Sequence, residues 1–187
     1  LKELTALRRH VDHITEIVRV QQGYARARIV QVNVDLHQLI EHAISISEAT
    51  DRRPIRTQRK LCDLRFAVTQ QHKALQILVN LLCNARQAVP DVGGEVQVVV
   101  DHDDERLFIE VIDNGSGITP EDLPRIFEHG FSTKAKGHGF GLHMSALAAK
   151  DMGGSLVARS DGAGRGAAFK LTLPLVLADE ADAAAAL

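Results

Sequence analysis

Residues 113–142 read DNGSGITPEDLPRIFEHGFSTKAKGHGFGL. Two glycine-rich turns bracket this stretch, Asp113-Asn114-Gly115-Ser116-Gly117 and Gly137-His138-Gly139-Phe140-Gly141-Leu142. The first follows the apolar run Leu107–Ile112, so Asp113 closes a buried-looking strand as the chain turns. A carboxylate there can accept a hydrogen bond from an exocyclic amine such as that of adenine. Gly115 and Gly117 let the backbone approach a flat base. A plain turn after a strand is the competing reading of Asp-Asn-Gly taken alone. The second turn precedes a helical pattern, so its backbone N–H groups and the helix N-terminus suit phosphates. It is not a P-loop, because no Gly-Lys-Ser/Thr follows, and it lacks the strand and spacing of the dinucleotide fingerprint. Between the turns, residues 119–140 show little periodicity and many Gly, Pro, His and Lys residues, as in a functional loop. Lys134 could reach a terminal phosphate if that loop closes; a solvated lysine is the bland alternative.

Upstream, Asn80 and Asn84 are four residues apart in the apolar run Ile77–Ala85 and so share one helix face. Two amides on such a helix need partners. A hydrated Mg²⁺ bridged to phosphates would supply them, as would buried water. Composition adds little: 45% hydrophobic, 25% charged and a net charge of −2 describe an ordinary globular chain with no electrostatic case for nucleic acid. No run is long and apolar enough to span a bilayer, and the charged N-terminus does not resemble a signal peptide. Cys62 and Cys83 do not make a disulfide framework, so a reducing cytoplasmic setting is expected, with Cys83 as a small core residue.

The pattern around these motifs gives an element order. Leu4, Leu7, Val11, Ile14 and Val18 form a short heptad seam that should pair with another helix or with its own copy. Ile29–Val34 reads as a strand, and Asp35 caps a helix to about Ala49 with Leu36, Leu39, Ile40, Ala43 and Ile44 on one face. Short strands near Ile55–Lys60 and Leu64–Val68 precede a helix from Gln71 to Val89, stopped by Pro90. Val96–Val100 and Leu107–Ile112 form a hairpin. A helix from Gly141 to Met152 leads to strands Leu156–Ser160 and Ala167–Leu173. This order predicts an α/β protein, a two-layer α/β sandwich with a mixed sheet, plus an N-terminal helix.

In order and spacing these pieces resemble the ATP-binding domain of sensor histidine kinases, within the superfamily that includes gyrase, Hsp90 and MutL. Leu75–Ala88 resembles its N box, Asp113–Gly117 its first glycine box, Phe127–Phe131 its F box, Gly137–Leu142 its second glycine box and Gly162–Gly166 its last. The resemblance implies the Bergerat fold and binding of ATP with Mg²⁺. It makes Asn84 the metal ligand, with Asn80 beside it, and Asp113 the reader of adenine. Residues 119–140 become a lid, poorly ordered until nucleotide arrives. It extends the binding set to Ile118, Phe127, Lys134, Gly137, His138, Gly139, Phe140, Gly141 and Leu142. Many members carry Lys or Arg three residues after the metal-binding Asn; this chain has Gln87 there and Arg86 one place earlier, so either could face phosphate. Residues 1–24 resemble the end of a dimerisation and phosphotransfer helix, 29–177 the catalytic domain, and 178–187 a low-complexity tail of the kind cloning leaves.

The superfamily's hydrolases place Glu one turn before the metal Asn to activate water; here that residue is Asn80, which favours phosphotransfer. The acceptor in such kinases is a helical His followed by an acid. His10, His13, His37, His42 and His72 lack that neighbour, and His102 precedes Asp103 only in a hairpin. No catalytic residue is therefore assigned within the chain, and the acceptor is expected outside it. His129, His138 and His143 lack the partners of a metal cluster. The expected partners are the protein's own phosphotransfer domain, as a homodimer, and a response regulator or receiver domain, with any membrane attachment lying in segments beyond this piece. Two alternatives stay open: a serine kinase of the mitochondrial dehydrogenase-kinase type, and a nucleotide-binding interaction module without activity.

Overall fold

The computed structural model describes residues 31–134 and 139–177. The N-terminal seam at residues 1–24, the tail at 178–187, and Gly137 and His138 lie outside the described residues. The strands are β1 (Val32–Asp35), β2 (Arg56–Lys60), β3 (Phe66–Thr69), β4 (Glu95–His102), β5 (Arg106–Asp113), β6 (Ser155–Arg159) and β7 (Ala167–Pro174). The helices are α1 (Leu36–Thr50), α2 (Gln71–Ala88) and α3 (Gly141–Asp151). Five strands make one mixed sheet in the order β2-β4-β5-β7-β6, and β1 and β3 pair separately. Only β2 and β4 run parallel; the other neighbours are antiparallel. The two-layer α/β architecture expected from the sequence is the one observed.

Alternation builds the inner face of the sheet. Val96, Val98 and Val100 of β4 are buried, as are Leu107, Ile109 and Val111 of β5 and Leu171 and Leu173 of β7. Helix α2 packs on this layer through Ala74, Ile77, Leu78, Leu81, Leu82 and Ala85. On the outer face, the Lys170 ammonium lies 4.0 Å from the Phe108 ring centroid and Arg159 pairs with Glu110 at 2.7 Å.

Asp35 caps α1 as expected: its Oδ1 accepts from the Gln38 N–H at 3.1 Å, while Arg65 Nε donates to Oδ2 at 3.0 Å. Leu36, Leu39, Ile40, Ala43 and Ile44 form the buried face of that helix. Pro90 ends α2, whose last carbonyls need donors. Arg53 supplies them, donating to the carbonyls of Arg86 and Val89 while its other contacts go to Asp51 and Asp91. The bonds to Asp51 hold that carboxyl down to about 2.

Residues 119–128 depart from the featureless loop expected. Thr119 O accepts from the Leu123 N–H at 3.0 Å and Asp122 O from the Ile126 N–H at 3.1 Å, giving helical turns. Ile126 is buried, and Leu123, Phe127 and Phe131 pack against the core. The apolar pattern behind these turns is shorter than the window in which a helical period can be recognised.

Leu81 is fully buried between α2 and the sheet. Leu81→Ala should destabilise the domain by about 2–5 kcal/mol, through lost burial and a residual cavity. Urea unfolding with an unchanged slope and a lowered midpoint is the expected result.

Candidate functional site

The inward parity of β5 runs Leu107, Ile109, Val111, Asp113, so the next inward position after three apolar residues carries a carboxylate. Asp113 is 6% exposed. Its Oδ1 accepts from the Gly115 N–H at 2.8 Å. Burial pushes its carboxyl above the usual range, against the opposing pull of the Gly115 and Ala167 N–H groups and the Lys134 charge. Asn114 turns the other way and staples the strand ends: its amide donates to Gly93 O and accepts from the Glu95 N–H, both at 2.8 Å.

The turn is seated on the end of α2. Ser116 N–H donates to Ala88 O at 3.0 Å, and a Cβ on Gly115 would lie 2.5 Å from that oxygen. Gly117 has φ +67°, and its missing side chain leaves room for the Gly162 carbonyl. The last glycine box braces the turn: Gly164 N–H donates to Ser116 O at 2.6 Å and Gly166 N–H to Gly115 O at 3.1 Å. Ile118 N–H donates to Ser160 Oγ at 3.0 Å, and that hydroxyl donates to Gly166 O at 2.6 Å.

Asn80, Asn84 and Gln87 mark one stripe of α2. Asn80 Nδ2 donates to Ser145 Oγ of α3 at 2.9 Å, and its oxygen fills the space where Gly141 would carry a side chain. Asn80 therefore holds the start of α3 against α2. The Lys134 ammonium donates to Asn84 Oδ1 at 3.0 Å and to Gln87 Oε1 at 2.7 Å. Partial burial draws its pKa down while Asp113 pulls it back up.

Arg86 is not brought to this stripe. It is 2% exposed, and its Nη2 donates to the carbonyls of Asp51 and Arg53 at 2.7 and 3.0 Å. Arg86 sits roughly 200° around the helix from Asn84, a consequence of the helical repeat. Its guanidinium and that of Arg53 thus clasp α2 to the 51–53 loop from both sides.

The second glycine turn closes on the preceding loop. Gly130 N–H donates to Gly139 O at 3.2 Å, and Gly139 has φ +71°. The Phe140 and His129 ring centroids are 4.8 Å apart. His143 Nδ1 donates to Phe127 O at 2.9 Å, and Phe127 and Leu142 pack on the core. Among the described residues, no group of three or more His, Cys, Asp or Glu side chains could hold a metal. A cavity of about 640 Å³, lined by Thr50, Asp51, Arg52, Arg53, Cys83 and Gln87 among others, shares Cys83 and Gln87 with these motifs. Sequence reasoning missed Ser145 and Ser160, polar residues whose partners are fixed by long-range packing.

A family model described as histidine kinase-, DNA gyrase B- and HSP90-like ATPase matches residues 69–177. The chain is 32% identical to sensor protein ChvG of Rhizobium meliloti, over 92% of this chain and 33% of that protein. It is also 32% identical to sensor histidine kinase ZraS of Klebsiella oxytoca, over 93% of this chain and 37% of that protein. It thus spans about a third of the length of these relatives. The crystal structure of full-length ShkA in complex with AMPPNP superposes with a TM-score of 0.75 at 26% identity, covering 93% of this chain and 38% of that one. Among the described residues, no helix is long and apolar enough to cross a membrane.

Burial raises the Asp113 pKa, so the folded state holds that proton more tightly than the unfolded chain does. Ionisation of Asp113 therefore lowers stability as pH rises from the ordinary carboxylate range to the shifted value, and the loss then stays constant to neutrality. Asp113→Asn keeps the acceptor for Gly115 and removes the charge. Its melting temperature should equal or exceed the parent's at neutral pH, and the gap should close in acid. Thermal scans over a pH series test this.

Proposed function

The chain belongs to the family of histidine kinase-, DNA gyrase B- and HSP90-like ATPases, and we propose that it is the ATP-binding catalytic portion of a two-component sensor histidine kinase. In this reading it transfers the γ-phosphate of ATP to a histidine outside residues 1–187. The observation that carries transfer over hydrolysis is Asn80. A neutral amide, engaged with Ser145 and packed against Gly141, offers no base to take a proton from water. The matched relatives include sensor histidine kinases and favour neither a dehydrogenase-kinase-like serine kinase nor an inactive module.

Asp113 accepts from the adenine amine, while Gly115 and Gly117 leave the base room. Gly139, Phe140, Gly141 and Leu142 lead into the N-terminus of α3, whose unsatisfied N–H groups suit phosphate oxygens. Ile118 and Phe127 border the site. Of Arg86 and Gln87, Gln87 is the phosphate-side residue, because Arg86 is committed to the carbonyls of Asp51 and Arg53.

The donor set fits Mg²⁺. Asn84 Oδ1 already accepts from a cation, the Lys134 ammonium, and one amide oxygen suits an ion that keeps its waters and takes the rest of its shell from phosphates. When bound, Mg²⁺ would neutralise phosphate charge. Residues 29–177 are the catalytic domain, and residues 1–24, outside the described residues, belong to the adjoining dimerisation and phosphotransfer domain. The partners are that phosphotransfer domain, within a homodimer, and a response regulator or receiver domain, in the cytoplasm.

Three outcomes test this reading. Asp113→Asn should weaken ATP binding by roughly 1.5–3 kcal/mol in calorimetry, the worth of a charge-assisted hydrogen bond. Asn84→Ala should weaken MgATP much more than metal-free ATP; equal losses would make Asn84 structural. With γ-labelled ATP the chain alone should acquire no acid-labile, alkali-stable label, and adding a phosphotransfer helix bundle with its acceptor should produce label on that bundle. Phosphohistidine on this chain alone would overturn the placement of the acceptor.

A further inference from the structure

The cations around the C-terminal half of α2 are held in two different ways. Arg86 donates to the carbonyls of Asp51 and Arg53, and Arg53 to main-chain carbonyls and the carboxylates of Asp51 and Asp91. Both are fixed parts of the fold. The Lys134 ammonium rests instead on two neutral oxygens, Asn84 Oδ1 at 3.0 Å and Gln87 Oε1 at 2.7 Å. Such hydrogen bonds fix a charge in place without neutralising it, and its attraction for an anion survives.

The two oxygens differ in what happens to them next. If Asn84 takes the metal, its oxygen is withdrawn from Lys134, and Gln87 is the anchor that remains. A lysine side chain has much rotamer freedom to lose, and holding it in advance reduces what binding must order. The type of residue at 87 matters as well. A carboxylate there would hold the ammonium but cancel its charge, and a second cation would repel it. The amide alone holds the ammonium and leaves it charged.

We propose that Gln87 is a positioning residue for Lys134, keeping the ammonium beside the terminal phosphate of the nucleotide once a metal occupies Asn84. Between Asn80 and Gln87 this face of α2 carries no cation of its own and borrows one from the loop. The proposal rests on the nucleotide-site reading above and adds to it a partnership between two side chains.

The test is a double-mutant cycle on the 187-residue chain, with affinities for MgATP and MgADP measured by calorimetry for the parent, Lys134→Met, Gln87→Ala, the double variant and Gln87→Glu. Lys134→Met, Gln87→Ala and Gln87→Glu should each weaken MgATP by roughly tenfold or more, the worth of a charge-assisted contact, with little effect on MgADP. The double variant should be no weaker than Lys134→Met, because the second change removes nothing further. Retained MgADP affinity doubles as the check that each variant is folded. Parental MgATP affinity in Gln87→Ala beside a weakened Lys134→Met would overturn the proposal. So would losses that multiply in the double variant, or equal losses of MgATP and MgADP in Gln87→Ala. A parent that binds neither nucleotide would overturn the site reading itself, which sets that failure apart from the failure of the Gln87 role alone.

Discussion

The two-residue period of a β-strand is the constraint on which the rest of this molecule depends. It points Leu107, Ile109 and Val111 into the core, and by the same parity it points Asp113 there too. The carboxylate is thus aimed by the apolar residues before it and needs no loop to position it. Everything around it then has to stay small or stay out. Gly115 touches the end of α2, Gly117 admits the Gly162 carbonyl, and Asn114 pins the neighbouring strand. A one-residue slip in β5 would turn the whole inward row to the outer face and take Asp113 with it.

Helix α2 separates two sets of polar side chains by the angle around its axis. Arg86 anchors it to the 51–53 loop, and Arg53 returns the clasp on the last turn. The stripe of Asn80, Asn84 and Gln87 faces elsewhere. Such a clasp satisfies the orphan carbonyls at the helix end and fixes its rotation. With the rotation fixed, three amides four and three residues apart are held against α3 and the loop before it.

Much of this was legible in the chain itself. The strand alternation, the Asp35 cap, the Pro90 stop and the glycine turns are local signals, and every described element but β1 appears within a residue or two of its expected bounds. What was not legible depends on distance in sequence. Asn80 finds Ser145 across 65 positions and Lys134 reaches Asn84 across 50, so each looked like an unpartnered amide or a solvated lysine. Arg86 and Gln87 are parted by the helical repeat, and the 51–53 loop receives the guanidinium while Gln87 stays on the stripe of Asn80 and Asn84. The turns at residues 119–128 were hidden for the opposite reason: their pattern is local but too short to register.

The edge strand β2 carries a further consequence. Its sequence is RTQRK, and Arg56, Arg59 and Lys60 stand exposed along the open side of the sheet. Arg56 and Arg59 carry carboxylate partners, Glu95 and Glu41, so a second β2 docking there would have to desolvate two ion pairs and the Lys60 ammonium. The backbone groups on that side therefore stay available to water yet are poor templates for sheet growth. Charged side chains that must be stripped of water oppose extension of an edge by another strand, and the part of that opposition owed to charge weakens as salt rises.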